Sequence, residues 1–178
     1  MATTLDATLL FRVAWRHLEF GDLGRTEDSY KWEPKHTIET GTTANKCNQN
    51  YYVTGTLAAS ATVDYDLAGG VVNAFGDTVT LTKIRAIALQ NVGADDGAGG
   101  YSVQSGETLK IGGAGSNPIT TIFDGSGTAK ATVHSGGLFF ATSPNDGYVV
   151  TGGSADVLRI TNGGTKTIQY KLLVMGVQ

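Results

Sequence analysis

Six Gly-Gly pairs, at 69–70, 99–100, 112–113, 136–137, 152–153 and 163–164, constrain this chain more than any other feature of its sequence. Glycine reaches the positive φ that tight turns between strands need, so each pair marks a place where the backbone can reverse. The segments between them are short, favour Val, Ile, Thr, Tyr and Phe, and contain no amphipathic window of ~10–15 residues that would build a helix. Thr occurs 24 times and Gly 25 times in 178 residues, while Asp, Glu, Lys and Arg together make up only 16%. Thr and the β-branched and aromatic residues suit a pleated, half-buried surface, and the strong helix formers Glu, Lys, Gln and Met are scarce. The expectation is an all-β protein, a two-sheet β-sandwich of jelly-roll-like character with about ten strands.

The chain has one domain's worth of residues, and its composition changes near position 50. Residues 1–50 hold 13 of the 29 charges, both tryptophans (Trp15 and Trp32), the single cysteine (Cys47) and three glycines; residues 51–178 hold 16 charges and 22 glycines. Residues 51–178 are therefore expected to form the sandwich body, and residues 1–50 an N-terminal arm or additional strands of the same sandwich. Leu9, Phe11, Val13 and Trp15 alternate as in a strand, although a helix over 7–20 is also open. Ser29 to Glu39 is expected to pair with that strand, with Pro34 at an edge or bulge because it has no N–H for a ladder. Residues 41–50 read as the connection into the body.

Within the body, alternation predicts strands over Tyr51–Leu57, Ala61–Leu67, Thr78–Val92, Glu107–Ile111, Thr128–His134, Leu138–Thr142, Tyr148–Thr151, Asp156–Thr161 and Thr165–Val174. Residues 68–77 read as a loop anchored by Phe75. In the longest strand the apolar parity changes around Lys83, as a β-bulge would make it. The last strand is apolar on both faces at its end, where Leu173 and Met175 follow polar Thr167, Gln169 and Lys171. A central position in the sandwich explains this, and so does a second face that meets another subunit.

Charge and motif content exclude several functions. A net charge of −3 offers nothing to a phosphate backbone or an anionic lipid, so neither nucleic acid nor membrane is an expected partner. The first residues lack a basic segment ahead of an apolar run, so export by a secretory signal is not expected. One cysteine forms no intramolecular disulfide, and in a polar loop with no neighbouring histidine Cys47 reads as an incidental small residue. His17, His36 and His134 show no ligand spacing, and no metal or other cofactor is expected. Asp64 and Asp66 share one strand face, and Asp95-Asp96-Gly97 is an acidic turn, but neither reproduces a calcium loop. GADDGAGG (93–100), GGAGS (112–116) and DGSGTAK (124–130) lack the lysine and the helix of a phosphate loop and read as turns. No nucleophile elbow is present, so the chain is not expected to be an enzyme. The least remote enzymatic alternative is a depolymerase using Asp64 or Asp66. Tyr51, Tyr52 and Tyr101 are the visible aromatic candidates for a glycan-binding groove.

Three ordered blocks carry a resemblance. LAASATVDYDLAGGVVNAFGDTVTLTKIRAIALQNV (57–92), LKIGGAGSNPIT (109–120) and HSGGLFFATSPNDGYVVTGGSADVLRITNGGTKTIQYKLLVMG (134–176) resemble small structural proteins of tailed-bacteriophage virions. The similarity covers about two-thirds of the chain, and residues 1–50 match less well. It implies a capsid decoration, or cement, protein: a β-sandwich that binds outside the phage head, contacts the major capsid protein and copies of itself, and stabilises the lattice. The implied location is the virion, assembled in the host cytoplasm. A tail- or fibre-associated module recognising host-surface glycan remains the alternative, because the same fold serves both.

Overall fold

The computed structural model describes residues 4, 5, 7–21 and 24–178; the side chains of Trp15 and of residues 17–21 and 24–26 lie outside the description. The chain runs through β1 (Ala7–Leu10), β2 (Val13–Gly21), β3 (Gly24–Trp32), β4 (Lys35–Thr40), β5 (Lys46–Cys47) and β6 (Gln49–Leu57). It continues through β7 (Thr62–Asp66), β8 (Ala68–Val72), β9 (Thr78–Thr80), β10 (Lys83–Asp95), β11 (Tyr101–Ser102) and β12 (Thr108–Gly112). It ends with β13 (Lys130–His134), β14 (Leu138–Thr142), β15 (Tyr148–Val149), β16 (Val157–Asn162) and β17 (Ile168–Val177). The described residues contain no helix.

Two antiparallel sheets form the body. In the larger, six-stranded sheet, β10 pairs with β17 on one edge and β17 with β6 beyond it; β15, β14 and β11 share the other edge of β10 in succession. The smaller sheet has the order β13-β12-β16-β7. Leaving aside the short β8, β9, β11 and β15, the eight long strands of the body fall in the order first, eighth, third, sixth in one sheet and second, seventh, fourth, fifth in the other. That connectivity is the double Greek key of a jelly roll. The two sheets together hold ten strands, as the turn spacing predicts, and short flanking strands bring the number described to 17.

The inner faces meet in one core. Ile87, Leu89, Ile168, Leu172 and Val174 from the larger sheet pack against Leu109, Ile111, Leu158 and Ile160 from the smaller, all buried. Within it, the Tyr65 and Tyr170 hydroxyls bond to each other at 2.6 Å, and the Tyr51 ring lies 5.6 Å from that of Tyr65. Burial, then the bond to Tyr170, pushes the Tyr65 hydroxyl's pKa far up, so it stays protonated. Gly55, opposite Tyr170 in the β6–β17 ladder, leaves room for that ring: a Cβ there would stand 2.6 Å from the Tyr170 oxygen.

Among the described residues that precede β6, two further sheets form, and β2 and β3 pair only with each other. β1, β4 and β5 make a small sheet, and Leu5, Ala7, Leu9, Ile38 and Cys47 cover Ala86, Leu173 and Met175 on the outer face of the larger sheet. The two-sided apolar end of the last strand is thus explained within one chain. Cys47, expected in a polar loop, lies on the short strand β5 and is completely buried in this layer. Arg85, also buried, donates to the carbonyls of Asn145 (2.6 Å) and Thr43 (3.2 Å), tying residues 41–45 to the turn after β14.

Several local expectations change. Residues 68–77 are not simply a loop, since β8 pairs with β9, and Phe75 anchors nothing: it is 80% exposed. The segment 78–92 is two strands, β9 and β10, parted at Leu81 and Thr82. The register of β10 slips between Ile84 and Ala86 rather than at Lys83, so Ile84 and Ile87 both reach the core and Ala86 turns outward. The helical alternative over 7–20 is not adopted.

Tyr170→Phe should leave the buried Tyr65 hydroxyl without its partner and lower stability by about 1–3 kcal/mol in urea unfolding. The double variant Tyr65→Phe/Tyr170→Phe should recover most of that loss, because no polar group is then stranded.

Candidate interaction surface

A group of exposed apolar residues lies where the N-terminal strands change direction. Pro34 has no N–H to give, and the strands on both sides break at the same level, β1 from β2 at Phe11 and Arg12, β3 from β4 at Glu33 and Pro34. The Phe11 N–H still reaches the Pro34 carbonyl at 3.2 Å, and the Phe11 and Trp32 rings meet edge to face with centroids 5.5 Å apart. Beyond the break, β2 and β3 pair only with each other, from Val13 opposite Trp32 to Gly21 opposite Gly24. Glu33 sits at the root beside Lys31 and, at 4.0 Å, Arg12; the hydrogen bond from Lys31 is the main cause holding its carboxyl below the ordinary value.

The root of this hairpin faces β14 across a cleft of about 510 Å³ lined by Phe11, Trp32, Pro34, Leu138, Phe140 and Thr142. A smaller adjoining hollow of about 280 Å³ reaches Leu9, Lys35, His36 and Pro144. Leu138 is 57%, Trp32 52% and Phe140 38% exposed, and a contiguous apolar surface of this kind marks a place of contact with another molecule. Sequence reasoning placed β14 correctly and missed this surface. The available signal was LFFAT itself, which carries large apolar side chains to both faces with no charge to guard it.

The residues singled out for chemistry are largely occupied in structural work. Asp64 is held by Arg159 in a two-point pair, with 2.7 Å to both Nε and Nη2, and this pair lowers the carboxyl's pKa. Asp66, on the same strand face, accepts the Ala68 N–H at 2.8 Å. Asp95 accepts the Gly97 N–H, and Asp96 accepts those of Ala98 and Gly100, which hold its carboxyl below the ordinary value. The acidic stretch is therefore a self-closed turn. Tyr51 and Tyr52 lie on opposite faces of β6, so they cannot form one aromatic platform; Tyr52 is exposed, and Tyr51 packs on Tyr65. His36 stands on β4 opposite Leu9 and His134 on β13 opposite Thr108, far apart in the sheet order. The side chain of His17 lies outside the described residues. No group of three or more His, Cys, Asp or Glu gathers to hold a metal among the described residues.

One buried carboxylate escaped sequence reasoning. Glu107 accepts hydrogen bonds from Thr165 N–H (3.0 Å), Thr165 Oγ1 (2.8 Å) and Lys166 N–H (3.2 Å), closing the turn between β16 and β17. Gly164 permits this approach, because a Cβ there would collide with the Glu107 carboxylate. This explains a Gly-Gly pair in which neither residue has positive φ, unlike the other five. Asn162 works beside it: its amide donates to the carbonyls of Leu57, Ala58 and Lys166 and accepts the Gly164 N–H at 2.8 Å.

Burial raises the pKa of Glu107, but the bonds from Thr165 and Lys166, with the Lys166 charge, outweigh it and leave the carboxyl below 4.5. A carboxyl depressed on folding stabilises the protein above its unfolded pKa, and that contribution is lost as pH falls through the folded value. The urea midpoint should therefore drop as pH falls below about 4.5, and Glu107→Gln should flatten that decline while lowering the midpoint at pH 7.

No protein-family model, curated protein sequence or solved structure matches the chain.

Proposed function

We propose that this chain is a structural component of a bacteriophage virion, a capsid decoration protein that binds the outside of the head and stabilises the lattice of the major capsid protein. The observation that carries the reading is the disposition of its side chains. Asp64, Asp66, Asp95 and Asp96, singled out in the sequence, are tied into turns and a strand pair, whereas large apolar residues, Trp32, Leu138 and Phe140 among them, are left exposed around one cleft. A block built in this way acts by adhesion. Cementing a shell requires a rigid fold and many repeated weak contacts, each of which adds little alone and gains from multivalency. The resemblance of residues 57–92, 109–120 and 134–176 to tailed-phage structural proteins supports the same reading. The jelly roll adds no choice of function, because that fold serves many.

Electron microscopy of purified particles, with the chain located by labelling, provides the test. A decoration protein should occupy the outer head surface in a number that scales with the capsid subunits. Density confined to the tail tip in a few copies would replace this reading with a host-recognition module, and absence from particles would remove both.

A further inference from the structure

We infer that Asn162-Gly163 is a self-modification site, a point of deamidation that the β16–β17 turn holds shut and that makes opening of this turn irreversible. The site shares no residue with the apolar cleft and does not depend on what the chain binds. Asn162 alone among the eight asparagines is followed by glycine, whose missing side chain leaves its N–H free to approach the asparagine amide. In the reaction, the Gly163 nitrogen bonds to Asn162 Cγ and gives up its proton, the Cγ–Nδ2 bond breaks, and the side-chain nitrogen leaves as ammonia. Water then opens the cyclic imide at either carbonyl. The products are aspartate and, with the main chain rerouted through the side chain, isoaspartate.

The folded chain engages each group that this reaction needs. The Gly163 N–H, the nucleophile, donates to the Thr108 carbonyl at 2.8 Å. The leaving nitrogen, Asn162 Nδ2, donates to the carbonyls of Leu57 (2.9 Å), Ala58 (3.0 Å) and Lys166 (2.7 Å). Asn162 Oδ1 accepts the Gly164 N–H at 2.8 Å, and the residue is only 1% exposed. Nucleophile and amide are thus tied to different partners. The latch lies outside the reacting pair: Glu107 accepts from Thr165 N–H, Thr165 Oγ1 and Lys166 N–H, and so holds the same turn whose Lys166 carbonyl receives the Asn162 amide. Turns open locally at less cost than the whole fold, so this latch decides how often the pair is free to react.

Neither product fits the place it came from. An aspartate at 162 has no proton to donate, so the carbonyls of Leu57, Ala58 and Lys166 lose their shared donor and face a buried negative charge beside the Glu107 carboxylate, both groups crowding Gly164. An isoaspartate lengthens the main chain where Asn162 pairs with Leu109 at the end of β16. A turn that reacts while open therefore does not close again.

Peptide mapping by mass spectrometry of the purified full chain, incubated in mildly alkaline buffer, tests this. In urea above the midpoint, Asn162 should deamidate faster than any other asparagine, and in native buffer about tenfold or more slower than in urea. Glu107→Gln should raise the native rate at Asn162 well above that of Tyr170→Phe, which weakens the core and leaves the turn intact; Thr165→Val, which removes a single bond, should lie between wild type and Glu107→Gln. Asn162→Asp made directly should lower the urea midpoint, whereas Asn45→Asp, at an exposed position, should keep it. Native deamidation at Asn162 as fast as in urea, a Tyr170→Phe rate equal to that of Glu107→Gln and Thr165→Val, or an Asn162→Asp chain with the wild-type midpoint would overturn the inference.

Discussion

The pairing of β10 with β17 holds the molecule together. It runs from Lys83 opposite Val177 to Ala94 opposite Ile168 and places two long strands side by side at the centre of the larger sheet. Every other layer uses one of their two faces. The inner face supplies Ile87, Leu89, Leu172 and Val174 to the sandwich core, and the outer face supplies Ala86 and Met175 to the N-terminal layer. The inner face is buried along its length and the outer face around Ala86 and Met175, so the apolar side chains of both layers depend on one register. The two slips in that register allow a chain of fixed period to serve two cores, because each resets which residues face inward.

Much of the sandwich was legible because alternation reports directly on a sheet with one covered face. The bounds of β14 were read as they stand, and those of β6, β7, β12, β13 and β16 to within one or two residues, since Gly-Gly turns and a period of two specify such elements locally. The failures share a cause. Whether the outer face of a strand is covered depends on residues far away in sequence, and neither Leu173 nor Met175 reveals that Ile38 and Cys47 lie over them. Phe75 was misjudged for the mirror reason: an aromatic residue in a glycine-rich stretch looks like an anchor until the fold gives it nothing to touch.

The candidate surface was harder to read than the fold. Tyr51 and Tyr52, adjacent and aromatic, attract notice as a pair, yet the pleat sends neighbouring side chains to opposite faces, leaving Tyr52 exposed and Tyr51 half-buried against Tyr65. Phe11, Trp32, Leu138 and Phe140 come from three separate stretches of chain, and only tertiary structure brings them to one cleft. Glu107 illustrates the same limit inside the protein: nothing in its neighbours announces that a turn 58 residues later will supply its donors.

Arg85 fastens the N-terminal layer to the body in a way unlike any carboxylate in the molecule. Its bonds run to the main-chain carbonyls of Asn145 and Thr43, so no carboxylate takes part in the link. Acidification therefore loosens the β16–β17 turn before it touches this clasp, and the two layers stay buttoned together after the far end of the sandwich has begun to open.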